Sequence, residues 1–329
     1  MPTTLDKPKL RWWHCRVPKL FRRRWFRVSL RTFLVLLTVA CLWLGWHANR
    51  ANRQRRTVEW VKELGGRVGY DYQYEDGWDF KLPGPDWLRN LVGIDYFSNV
   101  VMVDLDYRKV SDVTPLAKLT KLESLELDRT MVSDVTPLAK LTNLREFNLD
   151  DTQVSDVTPL AKLTNLRELS LDDTQVSDVT PLAKLTNLRE LSLDDTQVSD
   201  VTPLAELTNL RELSLDNTQV SDVTPLANLK SLKHLNLDNT QVGDVTPLAN
   251  LTKLWSLSLG MTPVSDVTPL TKLTNLDSLA LYNTSISDVT PLANLTKLRW
   301  LSLYETPVSQ EDCEMLKKSL PSLFIGSDE

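Results

Sequence analysis

The sequence predicts an α/β solenoid built on one parallel sheet and preceded by a single N-terminal transmembrane helix. Three observations carry this. Residues 111–308 hold nine copies of one 22-residue unit, opening at Ser111, Ser133, Ser155, Ser177, Ser199, Ser221, Gly243, Ser265 and Ser287. Self-similarity at that period marks a stacked array. Inside each copy leucines alternate with polar residues for a few positions, the pattern of a short strand with one buried face. Ahead of the array, Phe33 to Trp46 is apolar apart from Thr38 and has arginines on both sides.

Residues 1–27 form a basic tail with interleaved aromatics: Trp12, Trp13, Phe21, Trp25 and Phe26. Residues 1–32 hold ten basic side chains and one acid, about +9, which leaves about −14 for the rest of a chain whose formal charge is −5. Such a tail suits anionic lipid. The apolar run itself is 14 residues, short of the roughly 20 a full span needs. Val28, Leu30 and snorkelling Arg27 and Arg31 extend it, and Trp43 and Trp46 suit the far interface. Residues 28–47 are therefore assigned as a retained signal anchor. A cleaved signal peptide lacks an A-x-A site after the run, and a lipoprotein signal ending at Cys41 has too short an apolar stretch before it. Ten basic residues precede the span, and Arg50, Arg53, Arg55 and Arg56 follow it. The heavier side stays in the cytoplasm, which places the repeats outside, in a periplasm or beyond the cell.

Residues 48–96 read as a juxtamembrane helix and a cap. Val58, Val61 and Leu64 share a helical face from Ala51 to Leu64, and Gly65-Gly66 stops it. Val68, Tyr70, Tyr72 and Tyr74 alternate as a strand, with the tyrosines as cap core. Gly77 and Leu82-Pro83-Gly84-Pro85 form a loop, Asp86 caps a short helix through Leu91, and Val101 to Leu105 is a first, degenerate strand. The solenoid proper covers residues 97–308. In the copy Ser155 to Val176, SDVTPLAKLTNLRELSLDDTQV, Leu169 and Leu171 lie on a strand, Asp173-Thr174-Gln175 turns the chain, and Val176 points back inside. Thr158 is placed to cap a short helical turn and Pro159 to occupy its first position. No copy buries its leucines alone, so neighbours stack. Residues 309–329 close the far end: Ser309-Gln310-Glu311-Asp312 is a capping-box pattern opening a helix to Lys318, with Cys313 packed on it and Leu320, Leu323 and Ile325 completing a partial turn.

The repeated pattern LxxLxxLxLxxTxVxDVxPLA resembles the 22-residue leucine-rich repeats of internalin-type proteins, and with its anchor the chain resembles bacterial membrane-anchored leucine-rich-repeat proteins. The resemblance implies a curved right-handed coil with its sheet on the concave side, and a role in protein binding. One position departs from it. The family usually has Asn where this chain has Thr130, Thr152, Thr174 and their equivalents to Thr306, and a hydroxyl offers fewer hydrogen bonds than an amide.

The copies also serve as an internal comparison: positions equal in all serve the stack, and positions that differ are free for a partner. One outward column reads Asp106, Asp128, Asp150, Asp172, Asp194, Asp216 and Asp238, then Gly260, Tyr282 and Tyr304. Neighbouring aspartates repel by only about 0.8 kcal/mol in water, and a column of Arg145, Arg167, Arg189, Arg211 and Lys233 is available to offset them. Calcium wants six to eight oxygens around one ion, which a straight column does not supply. The column reads as a solvated face copied by duplication or as a steering surface for a basic partner. Variation gathers at the end of the array, where Trp300, Ser302 and Tyr304 share a strand, Tyr282 lies on the strand before, and Met261 one further. Exposed aromatics are what interface hot spots use; the alternative is packing against the C-terminal tail. His234 interrupts the column Glu146, Glu168, Glu190 and Glu212, and Trp255 reads as flank packing.

Beyond the anchor there is one histidine, His234, and one cysteine, Cys313, far apart in the stack, so no nucleophile–base arrangement is visible. Three scattered cysteines form no disulfide or zinc pattern. No cofactor signature is present, and the acidic array disfavours nucleic acid. The reading is a non-enzymatic scaffold at a membrane that binds a protein or other extended ligand on its inner curve. A surface adhesion role acting by avidity is the first alternative, and a hydrolase using a carboxylate pair the second.

Overall fold

The computed structural model describes residues 30–73 and 82–327. The basic tail, Val28, Tyr74, Gly77 and residues 328–329 lie outside the described residues. The chain divides into two compact units, Met1–His47 and Ala48–Glu329. Helix α1 (Leu30–Glu63) runs without interruption through the boundary, where the sequence reading places the start of a second helix at Ala51. Nothing in His47-Ala48-Asn49-Arg50 breaks a helix, since neither Gly nor Pro is present. In the first unit the apolar side chains of α1, among them Phe33, Val35, Leu42 and Trp46, are all about half exposed or more. Among the described residues α1 is the one helix long and apolar enough to cross a membrane, as an anchor or a signal sequence does.

In the second unit the other half of α1 packs as part of the cap. Ala51, Gln54, Val58 and Val61 lie on one face and are buried. Gln54 is satisfied there: its Nε2 donates to Asp95 Oδ1 at 3.0 Å and to the Ser98 carbonyl at 2.9 Å. Gly65, with φ of 79°, ends the helix in a left-handed turn. Strand β1 (Arg67–Tyr70) then pairs antiparallel with β2 (Val100–Asp104). This departs from a purely parallel sheet, because β1 arrives from the α1 turn and not from a coil of the solenoid, and it covers an otherwise open edge. β1 also stops at Tyr70. The Asp71 carboxylate accepts from the Tyr72 and Asn99 backbone N–H groups, at 2.9 and 3.0 Å, and bends the chain into a 3₁₀ turn, Asp71–Gln73. Tyr70 is cap core, with its hydroxyl on Asp95 at 3.1 Å. The short helix α2 (Asp86–Val92) is N-capped by Pro85, not by Asp86, whose carboxylate instead pairs with Arg89 one turn on.

From β2 onward every pairing is parallel. The three-residue strands β3 (Ser124–Glu126), β4 (Glu146–Asn148), β5 (Glu168–Ser170), β6 (Glu190–Ser192), β7 (Glu212–Ser214), β8 (His234–Asn236), β9 (Ser256–Ser258), β10 (Ser278–Ala280) and β11 (Trp300–Ser302) follow in chain order, and β12 (Phe324–Gly326) closes the sheet. The result is the expected leucine-rich α/β solenoid. In the copy at β5, Val157, Leu160, Leu163, Leu166, Leu169, Leu171 and Val176 are each at most 2% exposed. Each such leucine contributes about 1.5–3 kcal/mol of transfer free energy, which the stack needs to offset the ordering of its backbone.

Two details of the coil differ from the sequence reading. The turn Thr158–Lys162 is 3₁₀ with Val157 at its N-cap, and Thr158 caps nothing. The cap comes from Asp156, whose Oδ1 accepts from the Thr158 N–H at 2.8 Å, and the same bond recurs from Asp112 to Asp288. A carboxylate two residues ahead of the amide closes an Asx turn that the Thr hydroxyl would have to compete with. The threonine column takes up the turn on the other side. Thr174 Oγ1 donates to the Leu171 carbonyl at 2.6 Å, and Asp173 between them has φ of 54°. One hydroxyl thus ties down the carbonyl at the strand end in every copy. At the far end Ser309 Oγ accepts from the Asp312 N–H at 3.1 Å and opens helix α3 (Gln310–Ser319) as expected. Cys313 packs partly buried against the core, and Leu320, Leu323 and Ile325 are buried.

Candidate functional site

The outward face of β3 to β9 forms a trough of about 650 Å³, walled by the column Glu146, Glu168, Glu190 and Glu212 and floored by the serine and asparagine positions of the strands, with Glu126 of β3 at the head of that second column beside Asn148. Parallel register puts each glutamate beside its own copy: Glu146, Glu168, Glu190, Glu212 and then His234 are direct partners. Partial burial, and then the neighbouring carboxylates, raise Glu168 and Glu190. Glu126, half-buried and near Asp106 and Glu146, is pushed up to about 7. The arginine column partly neutralises this wall and not the aspartates. Arg167 acts on Glu168, and Arg211 and Arg189 on Glu190. The aspartates sit five residues further along an extended strand, about 16 Å away.

The aspartate column is not a free solvated face. Asp172 Oδ1 accepts from the Asp194 N–H and Asp194 Oδ1 from the Asp216 N–H, at 2.8 and 2.7 Å. Serine hydroxyls of the following strand, Ser192 and Ser214, add a second bond. Each carboxylate thus stitches its copy to the next. Burial raises Asp172 from its ordinary 3.8 to about 6, and Asp150 and Asp194 in the same direction. Where Asn replaces Ser on the strand the stitch is diverted: the Asp150 and Asp238 N–H groups bond Asn148 and Asn236 instead, leaving Asp128 and Asp216 outside it. Asp238 ends the column with a richer set. It accepts from the Ser258 hydroxyl on both oxygens, at 2.6 and 2.7 Å, from the Gly260 N–H at 2.5 Å and from the Tyr282 hydroxyl at 2.9 Å. Burial, and then that last bond, which holds the phenol proton, push Tyr282 up to about 12.

The residues singled out at the C-terminal end occupy β8 to β11 and the turns after them, but as separate groups. Tyr282 lies over Gly260 toward Asp238, and any side chain at 260 would collide with its ring. Tyr304 lies the other way, over Gly326 of β12. Trp300 and Phe324 pack with ring centroids 5.1 Å apart, and both remain more than half exposed. Ser302 pairs with Ala280 and Gly326 between them. Met261 takes the left-handed turn position, φ 56°, and is exposed. His234 meets Trp255 edge to face at 5.4 Å. Trp255 is half exposed and lines an adjoining groove. Phe324 is a contact that sequence reasoning missed. Its signal was available: Leu323-Phe324-Ile325 continues the apolar–outward–apolar alternation of Leu298 to Leu303 one coil on.

Family models agree with this architecture. A model described as a leucine-rich repeat region matches residues 173–325, and one of two leucine-rich repeats matches residues 142–184. No curated protein matches the chain. Among solved structures, an internalin (inlF) from Listeria monocytogenes is similar at 34% identity and a TM-score of 0.66, covering 69% of this chain and 67% of its own. Internalin C2 from the same organism is similar at 37% identity and a TM-score of 0.52, covering 62% and 80%. A leucine-rich-repeat protein of Leptospira interrogans shares the fold at 24% identity and a TM-score of 0.65, covering 68% and 59%.

Proposed function

Because the chain belongs to the internalin-type leucine-rich-repeat family, we propose that it is a non-enzymatic protein-interaction scaffold, held at a membrane by α1, that takes its partner on the outward face of the sheet. The observation that carries this reading is the break in the columns at β8. The core continues unchanged to β11, yet the glutamate column becomes His234, Ser256, Ser278 and Trp300 along the same register. The aspartate column becomes Gly260, Tyr282 and Tyr304. A face that stops repeating while its core keeps repeating is free of the stack. It also presents half-exposed aromatics, the groups that supply most interface energy. Trp300, Tyr304, Tyr282 and Met261 are the proposed contacts, with Ser302 and His234 beside them and Asp172, Asp194, Asp216 and Asp238 setting the sign of the field toward a basic partner.

The N-terminus is proposed to lie in the cytoplasm and the repeats beyond the membrane, on the charge asymmetry around the span. A photo-crosslinking residue at position 300, with a control at Ser192, tests the site in native membranes. One discrete protein captured from 300 and not from 192 is expected. Equal capture from both, or none from 300, removes the site assignment. Turnover of a substrate by the purified protein would favour the hydrolase reading instead.

A further inference from the structure

We propose that the flank of the sheet running from Arg167 to Trp255 is a track for an acidic polysaccharide, laid with about one sugar ring per repeat and one carboxylate facing the column at every second repeat. The track is a backbone-bonded ladder. The N–H of Arg189 donates to the Arg167 carbonyl, Arg211 to Arg189, Lys233 to Arg211 and Trp255 to Lys233, at 2.7 to 2.8 Å. The side chains therefore repeat at one strand spacing, about 4.8 Å. All of them are exposed. Arg145, at the start of the column, is engaged by Glu123 at 2.8 Å. Among the described residues Arg167, Arg189 and Arg211 are in no ion pair.

A second column runs beside the first. Asn165, Asn187 and Asn209 each donate Nδ2 to a threonine carbonyl of the preceding copy, at 2.7 to 2.9 Å. This fixes the amide and leaves its oxygen as an acceptor. The two columns line one groove of about 470 Å³. Per repeat it offers a planar guanidinium, which binds carboxylate through two parallel hydrogen bonds, and a fixed acceptor suited to a hydroxyl. A sugar acid carries that pair of groups on one ring. In an extended 1→4-linked chain successive rings face opposite sides, so like-facing carboxylates recur about every 9 Å, close to two strand spacings.

Trp255 stands next in line after Lys233, half exposed and braced edge-on by His234. It lines the adjoining groove of about 870 Å³ with Lys253, Lys297 and Arg299, the last paired with Asp277 at 3.6 Å. A flat aromatic there stacks on the apolar face of a sugar ring. Other polyanions fit less well. An extended acidic peptide presents like-facing carboxylates about 6.7 Å apart, out of step with the ladder. A single-stranded nucleic acid needs an aromatic platform for each of several successive bases, whereas among the residues lining the two grooves Trp255 is the one tryptophan.

The test is equilibrium binding of the full chain, in nanodiscs of neutral lipid, to labelled polygalacturonate fragments. The basic tail is common to every variant compared. Arg167→Gln/Arg189→Gln/Arg211→Gln is expected to weaken binding about tenfold or more and to make its salt dependence shallower. The charge-matched control Lys140→Gln/Lys162→Gln/Lys184→Gln, three exposed lysines on the 3₁₀ turns, is expected to change it less than about twofold. Trp255→Ala is expected to weaken binding several-fold and Trp255→Tyr to restore it. Equal loss in the two triple variants means diffuse attraction and overturns the track. So does binding of poly-L-glutamate or oligothymidylate as tightly as polygalacturonate, or no binding at millimolar sugar. Equal melting temperatures of the variants exclude misfolding as the cause.

Discussion

The copies carrying β4 to β7 and those carrying β8 to β11 share one core and differ on their outward face. In both halves the leucines of the strand and of the 3₁₀ turn are fully buried or nearly so. In the first half the outward residues are copied along with the core, so each carboxylate stands beside its own duplicate, and burial and repulsion together hold Glu168, Glu190 and Asp172 above their ordinary range. In the second half the same positions hold serine, alanine, glycine and aromatics, and the charge ladder ends at Asp238 with four hydrogen bonds. The difference separates two kinds of constraint. Stacking fixes the inward residues everywhere, because a core layer that changed volume would leave a cavity against two neighbours. It leaves the outward ones open, and only the second half has used that freedom.

The largest expected effect tests the shared part. Leu193→Ala and Leu259→Ala remove equivalent, fully buried side chains from the two halves. Each is expected to cost about 2–5 kcal/mol, and the two to agree within about 1 kcal/mol, as read by denaturant unfolding of the full chain. A much smaller loss at Leu259 would show that the C-terminal copies fray apart from the rest, and the single continuous core would have to be given up.

Next comes the end of the aspartate column. Asp238→Ala strands the Ser258 and Tyr282 hydroxyls and the Gly260 N–H, whereas Asp194→Ala strands the Asp216 N–H and the Ser214 hydroxyl while relieving repulsion within the column. We expect about 2–3 kcal/mol for the first and about 1 kcal/mol or less for the second. The reverse ranking in thermal melts would mean that Asp238 is an ordinary member of the column and that its bond to the Tyr282 hydroxyl adds little.

How much of this was legible beforehand depended on what each feature needs. The period, the leucine core, the Ser309 cap and the Gly65 stop are written in residues a few positions apart, and the coil honours them. Features that depend on the neighbouring copy were not legible. The direction of each tyrosine is set by a glycine one strand away, Gly260 under Tyr282 and Gly326 under Tyr304. Read alone, Gly260 is only a lost aspartate. The aspartate stitch needs an amide 22 residues on, so from sequence the column read as solvated charge. Thr158 was misplaced as a cap because Asp156 and Thr158 compete for the same turn, and the carboxylate is the stronger acceptor. The aromatic group of β8 to β11 was visible as variation, but its division into Tyr282 with Asp238, Tyr304 with Gly326 and Trp300 with Phe324 was not.

The smallest effect concerns pH, and its sign distinguishes the two faces of the coil. Asp172 is raised from 3.8 to about 6, chiefly by burial, and Glu126 to about 7. Across the window from about pH 4 to pH 7 the folded protein therefore binds more protons than the unfolded chain. The stability these groups contribute is fully present below their ordinary carboxylate range and is lost as pH rises through 6 and 7. The Asx-turn aspartates of the opposite face, such as Asp156 and Asp178, are lowered by the bonds they accept from Thr158 and Thr180. Their contribution is present above the ordinary range and fades only as pH falls below it. The melting temperature is accordingly expected to be a degree or two higher at pH 5 than at pH 8. Asp172→Asn, which keeps an acceptor oxygen for the Asp194 N–H, should raise the melting temperature at pH 8, do little at pH 5 and so flatten the slope. Asp178→Asn should leave the slope in that window unchanged. A melting temperature that climbs from pH 5 to pH 8, or a slope indifferent to Asp172→Asn, would show that the repeated face of β4 to β7 holds no carboxylate charge at a cost, and the contrast with β8 to β11 would then be one of shape and not of charge.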